Sequence, residues 1–199
     1  MVRLLVACEF SGRVREAFRA LGCDAWSCDI DKSADNSPYH IQDDVLNHLN
    51  DGWDMMIGFP PCTYLTVAGN RYYKDGDPKR VAAIEFFKAL YNAPIPFIAL
   101  ENPVGVLSTK FRKPTQIIHP WQFGHSEKKR TCLWLKNLPK LVPTKIVDKG
   151  ICEIERYSGF YDNAQKVRSL TYKGIAEAMA DQWLKFVIQQ LQSSNQEES

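Results

Sequence analysis

The sequence predicts an α/β fold, a mostly parallel sheet covered by helices on both faces. Three observations carry this. Short, nearly all-apolar runs recur along the chain, as in strands buried on both sides. Segments with helical apolar spacing lie between them. Most of the runs end in polar residues, at the carboxyl ends of strands, where sheets of this kind bind their ligands.

Residues 2–8 form the first apolar run. Gly12 breaks it, and Val14, Ala17, Phe18 and Leu21 then follow the i, i+3, i+4, i+7 spacing of a helix, which Gly22 closes as a C-cap. Residues 24–29 predict a second strand, 40–44 a third and 53–59 a fourth. A helix is expected over 79–92, with Pro78 near its start and Val81, Ile84, Phe87 and Leu90 on one face. Residues 96–100 predict another buried strand, ending in Glu101-Asn102-Pro103, and 117–121 and 131–135 add two more. Residues 139–165 are irregular and rich in turn formers. Residues 175–191 predict a long amphipathic helix, and the polar composition from 192 predicts a disordered tail.

Composition narrows the function classes. The chain has 199 residues, 45% hydrophobic and 24% charged, which suits one globular domain and excludes disordered, collagenous and coiled-coil chains. No apolar run approaches the roughly 18 residues that span a bilayer, so no membrane partner is expected. The first apolar run is too brief for a secretory signal, and a cytoplasmic location is expected. The six cysteines form no C-x2-C pair and no Cys/His quartet, so no metal site is expected. Net charge is +2, yet residues 104–149 hold ten Lys/Arg against two acids, which leaves −6 elsewhere. A one-sided polyanion-binding surface has this asymmetry; so does a solvated basic loop.

The strand ends carry the candidate chemistry. Ser11-Gly12 lies between a strand and a helix start, where glycine admits a close ligand and the helix amino terminus favours an anion such as a carboxylate. Asp29 ends the second strand, where an acid commonly accepts from ribose hydroxyls; a turn cap is the alternative. With no lysine-bearing phosphate loop, an adenosine cofactor without phosphates, such as S-adenosylmethionine, is the better candidate. Cys62 follows two prolines, which fix φ twice and remove two donors, so its thiol is held on a rigid platform at a strand end. Glu101 follows the next strand. A thiol and a carboxylate together suit attack on an electron-poor ring, the acid engaging a ring nitrogen.

In this linear order the residues resemble the DNA cytosine-5 methyltransferases, over about 130 residues. Phe10-Ser11-Gly12 is similar to the family's first cofactor motif, Asp29-Ile30-Asp31 to its second and Asp43-Asp44-Val45 to its third. Pro60-Pro61-Cys62 resembles the nucleophile motif, and Glu101-Asn102-Pro103 the Glu-Asn-Val motif. The resemblance implies a Rossmann-like S-adenosylmethionine-dependent fold and methyl transfer to C5 of a flipped-out cytosine in DNA. It implies Cys62 as nucleophile at C6, Glu101 at N3, and Asn102 and Lys129 as further catalytic residues. Phe10, Ser11, Gly12, Asp29, Ile30, Asp44, Val45, Pro61 and Gly174 are implied to hold the cofactor. Thr66, Lys110, Lys113, Lys128 and Arg130 are expected to contact nucleic acid.

The sequence departs from the pattern in places. Ile30 replaces an aromatic, Val14 replaces a motif glycine, and Lys129 stands where the family has arginine. The Gly-Asn motif at 171–175 lacks its asparagine. The division expected is a catalytic and cofactor domain over 1–135, a reduced target-recognition segment over 136–165, a returning helix over 166–191 and a tail over 192–199. So short a segment implies a short recognition site or a partner chain that supplies the missing domain. RNA or a free cytosine nucleotide as substrate, and a non-catalytic binding relative, are the alternatives.

Overall fold

The computed structural model describes residues 1–150 and 170–197. Seven strands form one sheet: β1 (Arg3–Ala7), β2 (Asp24–Asp29), β3 (His40–Gln42), β4 (Met55–Gly58), β5 (Phe97–Pro103), β6 (Gln116–Ile118) and β7 (Thr131–Lys136). Their order is β3-β2-β1-β4-β5-β7-β6. The pairs from β3 to β5 are parallel, and β7 is antiparallel to both β5 and β6. The chain leaves β1 toward β2 and β3 on one side, then returns to β4 and β5 on the other. The reversal opens a crevice at the carboxyl ends of β1 and β4.

Side chains alternate along each strand and feed a core on each face. Leu4, Val6, Met55, Ile57 and Leu133 join Phe18 of α1 (Arg13–Arg19) on one face. Leu5, Ala7, Met56, Ile98 and Trp134 join Phe87 and Leu90 of α2 (Pro78–Tyr91) on the other. A short helix α3 (Leu107–Lys110) follows β5, and the long helix α4 (Lys173–Glu197) lays Met179, Trp183 and Val187 beside α1.

Several boundaries differ from expectation. Helix α1 ends at Arg19, so Leu21 is 52% exposed, and Gly22 takes the left-handed conformation (φ 82°) beyond it. On α2 the inward stripe is Arg80, Ile84, Phe87, Leu90 and Tyr91, so Ile84, Phe87 and Leu90 are buried as expected, while Val81 is exposed. Strand β5 continues through Pro103, so Glu101 and Asn102 lie in the strand rather than past it. Strand β3 stops at Gln42 and β6 at Ile118, where Pro120 starts a 3₁₀ turn. Residues 192–197, expected to be disordered, extend α4: elongating a helix already anchored by packing costs little, and Gln and Glu tolerate it. Residues 151–165 of the irregular segment lie outside the described residues, as does Cys152.

Phe87 is fully buried, edge-on to Trp134 at 5.1 Å and to Phe111 at 5.8 Å between ring centroids. Phe87→Ala is expected to cost about 3–5 kcal/mol. Urea unfolding should show it as a lower midpoint with an unchanged slope. A loss below ~1 kcal/mol would contradict this packing.

Candidate active site

The site is built on the segment that leaves β4. Phe59-Pro60-Pro61-Cys62 has two residues without an amide donor, so it cannot extend the ladder. Just past it a turn closes, with the Leu65 and Thr66 amides donating to the Cys62 carbonyl at 2.9 and 3.1 Å. The segment that continues β5 grips this turn. Asn102, 1% exposed, donates Nδ2–H to the Pro60 carbonyl at 2.8 Å. The Val106 amide donates to the Leu65 carbonyl at 2.9 Å, and the Val67 amide to the Val104 carbonyl at 3.4 Å. A Cβ at Gly105 would overlap the Leu65 carbonyl, so glycine is what lets the two backbones close. Cys62, half-buried, is therefore fixed on a clamped turn. Asn102, expected to be catalytic, spends its Nδ2–H on Pro60 and so positions the turn, while its Oδ1 is buried without a hydrogen-bond partner among the described residues. Thr66 was expected at nucleic acid, yet its Oγ1 accepts from the Gly69 amide at 3.1 Å and holds the next turn.

Register places the rest. β5 and β7 pair Pro103 with Thr131, so Lys129, two residues earlier, arrives beside the end of β5. Glu101 and Lys129 line one pocket with Phe59, Thr131, Tyr172 and Ile175. The Lys129 Nζ lies 5.9 Å from the Tyr172 ring centroid, within cation–π range. Tyr172 had no role assigned from sequence; an aromatic two residues before Gly174 was the available signal. Gly174 itself was expected to hold the cofactor. Its amide donates to His125 Nε2 at 3.0 Å, and a Cβ there would overlap the Phe123 carbonyl, so it packs α4 against a turn. Lys113, Lys128 and Arg130 are exposed, whereas Lys110 is paired with Asp75 at 2.7 Å.

The ends of β1, β2 and β3 form a second cluster. Glu9, 4% exposed, accepts from the Val14 and Arg15 amides at 2.7 and 3.2 Å and from Ser11 Oγ at 3.3 Å. The amino end of α1 is thus capped by the chain's own carboxylate and is not left for a ligand anion, as had been expected. Burial pushes the Glu9 pKa up despite those amides. Gly12 (φ 70°) is required twice: its backbone is left-handed, and a Cβ would collide with Arg15 and Asp35. The fully buried Arg15 donates to Ser27 Oγ at 2.7 Å and is ion-paired with Glu16 and Asp35, tying the loop after β2 to α1.

Asp29, half-buried at the end of β2, accepts from the Asp31 amide at 2.9 Å, and burial raises its pKa. The Cys8 thiol is pushed up by burial first, then by the charges of Asp29, Cys28 and Asp44. Ile30 is 75% exposed beside Asp29. Asp44 is exposed and caps the following turn through the Leu46 amide at 3.0 Å. Phe10 and Ser11 are half-buried, and Pro61 is exposed. Val45, expected at the cofactor, is 3% exposed and packs in the core. Among the described residues no group of three or more His, Cys, Asp or Glu could hold a metal, and no helix is long and apolar enough to cross a membrane.

No family model and no curated protein matches the sequence. Solved structures do match the fold. An E. coli protein described as a DNA modification methyltransferase encoded within a prophage superposes with a TM-score of 0.51 at 16% identity, covering 81% of this chain and 56% of its own. The Entamoeba histolytica methyltransferase EhMeth gives 0.52 at 14% identity, covering 82% of this chain and 61% of its own. The chain thus spans less than two thirds of either protein. The Rossmann-like methyltransferase fold expected from the motifs is the fold observed.

Thiol chemistry tests the site's geometry. Burial pushes Cys23 and Cys28 up to about 12 and Cys132 up to about 11, so each stays protonated at pH 8 and becomes thiolate only as pH rises toward those values. Iodoacetamide at pH 8 is expected to label the half-exposed Cys62 ahead of Cys23, Cys28 and Cys132. Peptide mass spectrometry reads the order. Faster labelling of any of the three buried thiols would contradict it.

Proposed function

We propose that the chain is a methyltransferase that transfers a methyl group from S-adenosylmethionine to C5 of cytosine in DNA, through a covalent adduct of Cys62. The observation that carries this reading is the clamp. Asn102 and Gly105 fix the turn that bears Cys62, and Glu101, the neighbour of Asn102, lines the adjoining pocket with Lys129. A buried thiol would need no such platform. The E. coli neighbour, described as a DNA modification methyltransferase, favours DNA as substrate.

The cofactor's chemistry suits the second cluster. Asp29 would accept from the ribose hydroxyls and Asp44 from the adenine amino group, while Ile30 and Phe10 flank the ring. The exposed Ile30 side chain offers an apolar face where an aromatic would stack more strongly. The amino end of α1 does not serve the cofactor's carboxylate, because Glu9 occupies it.

In the reaction, Cys62 as thiolate attacks C6 of a cytosine turned out of the duplex, since the ring face is inaccessible in the stack. Glu101, as the protonated acid, donates its O–H to N3 and so neutralises the negative charge that develops there as the C5–C6 double bond opens. Bound S-adenosylmethionine supplies the electrophilic methyl group that C5 takes. A solvent water or hydroxide then takes the C5 proton, and the electron pair left behind restores the C5–C6 double bond and expels Cys62 as thiolate. Lys128, Arg130, Lys113 and Lys110 would meet phosphates and position the strand.

The division of labour follows. Residues 1–135 supply cofactor and chemistry. Of the segment assigned to recognition, residues 139–150 are tied to the body: Trp183 Nε1–H donates to the Pro139 carbonyl at 2.9 Å, and Val142 exchanges bonds with Gln182 at 2.8 and 2.9 Å. Base reading then falls to residues 151–165 or to a partner chain, and the site read should be short.

Duplex DNA containing 5-fluorocytosine tests the mechanism, because fluorine cannot leave as the C5 proton does. With S-adenosylmethionine, wild type is expected to form a denaturation-resistant complex and Cys62→Ser none. A complex with Cys62→Ser would place the nucleophile elsewhere. Trapping on the matching RNA but not on DNA would reject DNA as substrate.

A further inference from the structure

The turn that follows β2 is held by side chains of the edge strand β3. The two strands pair in parallel, Ser27 with His40 and Asp29 with Gln42, so these four residues share one face of the sheet. From that face Gln42 Nε2 donates to the Ile30 carbonyl at 3.3 Å, and His40 Nε2 lies 3.0 Å from the Asp31 carbonyl. The Asp31 amide donates to the Asp29 carboxylate at 2.9 Å. Ile30 and Asp31 are exposed, so water alone would satisfy their carbonyls. Two side chains committed to them fix the turn's shape.

The imidazole is itself fixed from the opposite side. A carbonyl only accepts, so His40 carries its proton on Nε2, and Nδ1 is the acceptor facing Ser27 Oγ at 2.8 Å. The fully buried Arg15 donates to the same Oγ at 2.7 Å, which leaves the Ser27 proton for His40. An unbroken chain of bonds therefore runs from Arg15 of α1 through Ser27 and His40 to the Asp31 carbonyl. It ends at the turn that bears Asp29 and displays Ile30, 75% exposed.

We propose that His40, assisted by Gln42, is a positioning residue for recognition of the cofactor's ribose. Both act through the backbone of residues 29–31, holding the Asp29 carboxylate in the direction the ribose hydroxyls require. A turn free to move would have to be ordered on binding, and that cost would weaken each ribose bond. The inference rests on the assignment of Asp29 to the ribose made above.

The test is calorimetry on the full chain with S-adenosylhomocysteine and with its 2′,3′-dideoxy analogue. Wild type is expected to bind the parent compound about tenfold or more tightly, the hydroxyls at Asp29 making the difference. Asp29→Ala should bind the two alike. In His40→Phe and in Gln42→Leu the preference should shrink about threefold or more, through weaker binding of the parent compound alone. Circular dichroism checks the fold, and should His40→Phe unfold, Gln42→Leu at its exposed position decides. If Asp29→Ala loses the preference while the β3 variants keep it, the ribose assignment stands and the role of His40 is overturned. Equal weakening of both ligands would make His40 and Gln42 merely structural and overturn it too. No preference in wild type, or no binding of either ligand, would reject the ribose assignment and this inference together.

Discussion

Asn102 holding the Pro60 carbonyl is the contact on which the candidate site depends. Two prolines free the chain from the sheet after β4, and a turn without ladder bonds has no fixed direction of its own. Asn102 gives it one. Its Nδ2–H bond crosses from β5 to the loop, and Gly105 then lets the two backbones run in contact as far as Val106. The sheet's rigidity thereby reaches a residue outside the sheet. Because Glu101 precedes Asn102, one strand sets both the thiol's platform and the acid beside it. The same turn carries Tyr64, whose carbonyl accepts from the Arg80 Nε–H of α2, so the clamp is tied to that helix as well.

The loop after β1 obeys a different constraint. Glu9 and Arg15 are both buried, and each is stable there because its partners are fixed: two α1 amides for the carboxylate, Ser27 and two acids for the guanidinium. This arrangement leaves no room at Gly12 for a side chain. It also spends the helix terminus internally, on a carboxylate of the chain itself.

The architecture was legible because buried parallel strands are written locally as short apolar runs, and helices as periodic ones. The carboxyl-end residues followed from that placement, and Asp29, Cys62 and Glu101 stand at or near the strand ends the pattern assigned. What the sequence left open concerns partners distant along the chain. Gly12 and Gly174 read as openings for a ligand, but their neighbours are Arg15 with Asp35 and the Phe123 carbonyl. Asn102 read as chemistry, yet its partner is a backbone carbonyl 42 residues away. Arg80 lies in phase with Ile84, Phe87 and Tyr91 and could have been found as a charge in an apolar stripe. The sequence favours a phase through Val81, since an apolar residue is the ordinary occupant of such a stripe.

The central claim is that this clamped thiol serves methylation at carbon. It is tested most directly by incubating the chain with DNA and S-adenosylmethionine labelled in its methyl group, digesting the DNA to nucleosides and identifying the labelled one. Label in 5-methylcytosine is the expected result, and it should disappear with Cys62→Ser. Label in N4-methylcytosine or N6-methyladenine, or label that survives Cys62→Ser, would contradict the account.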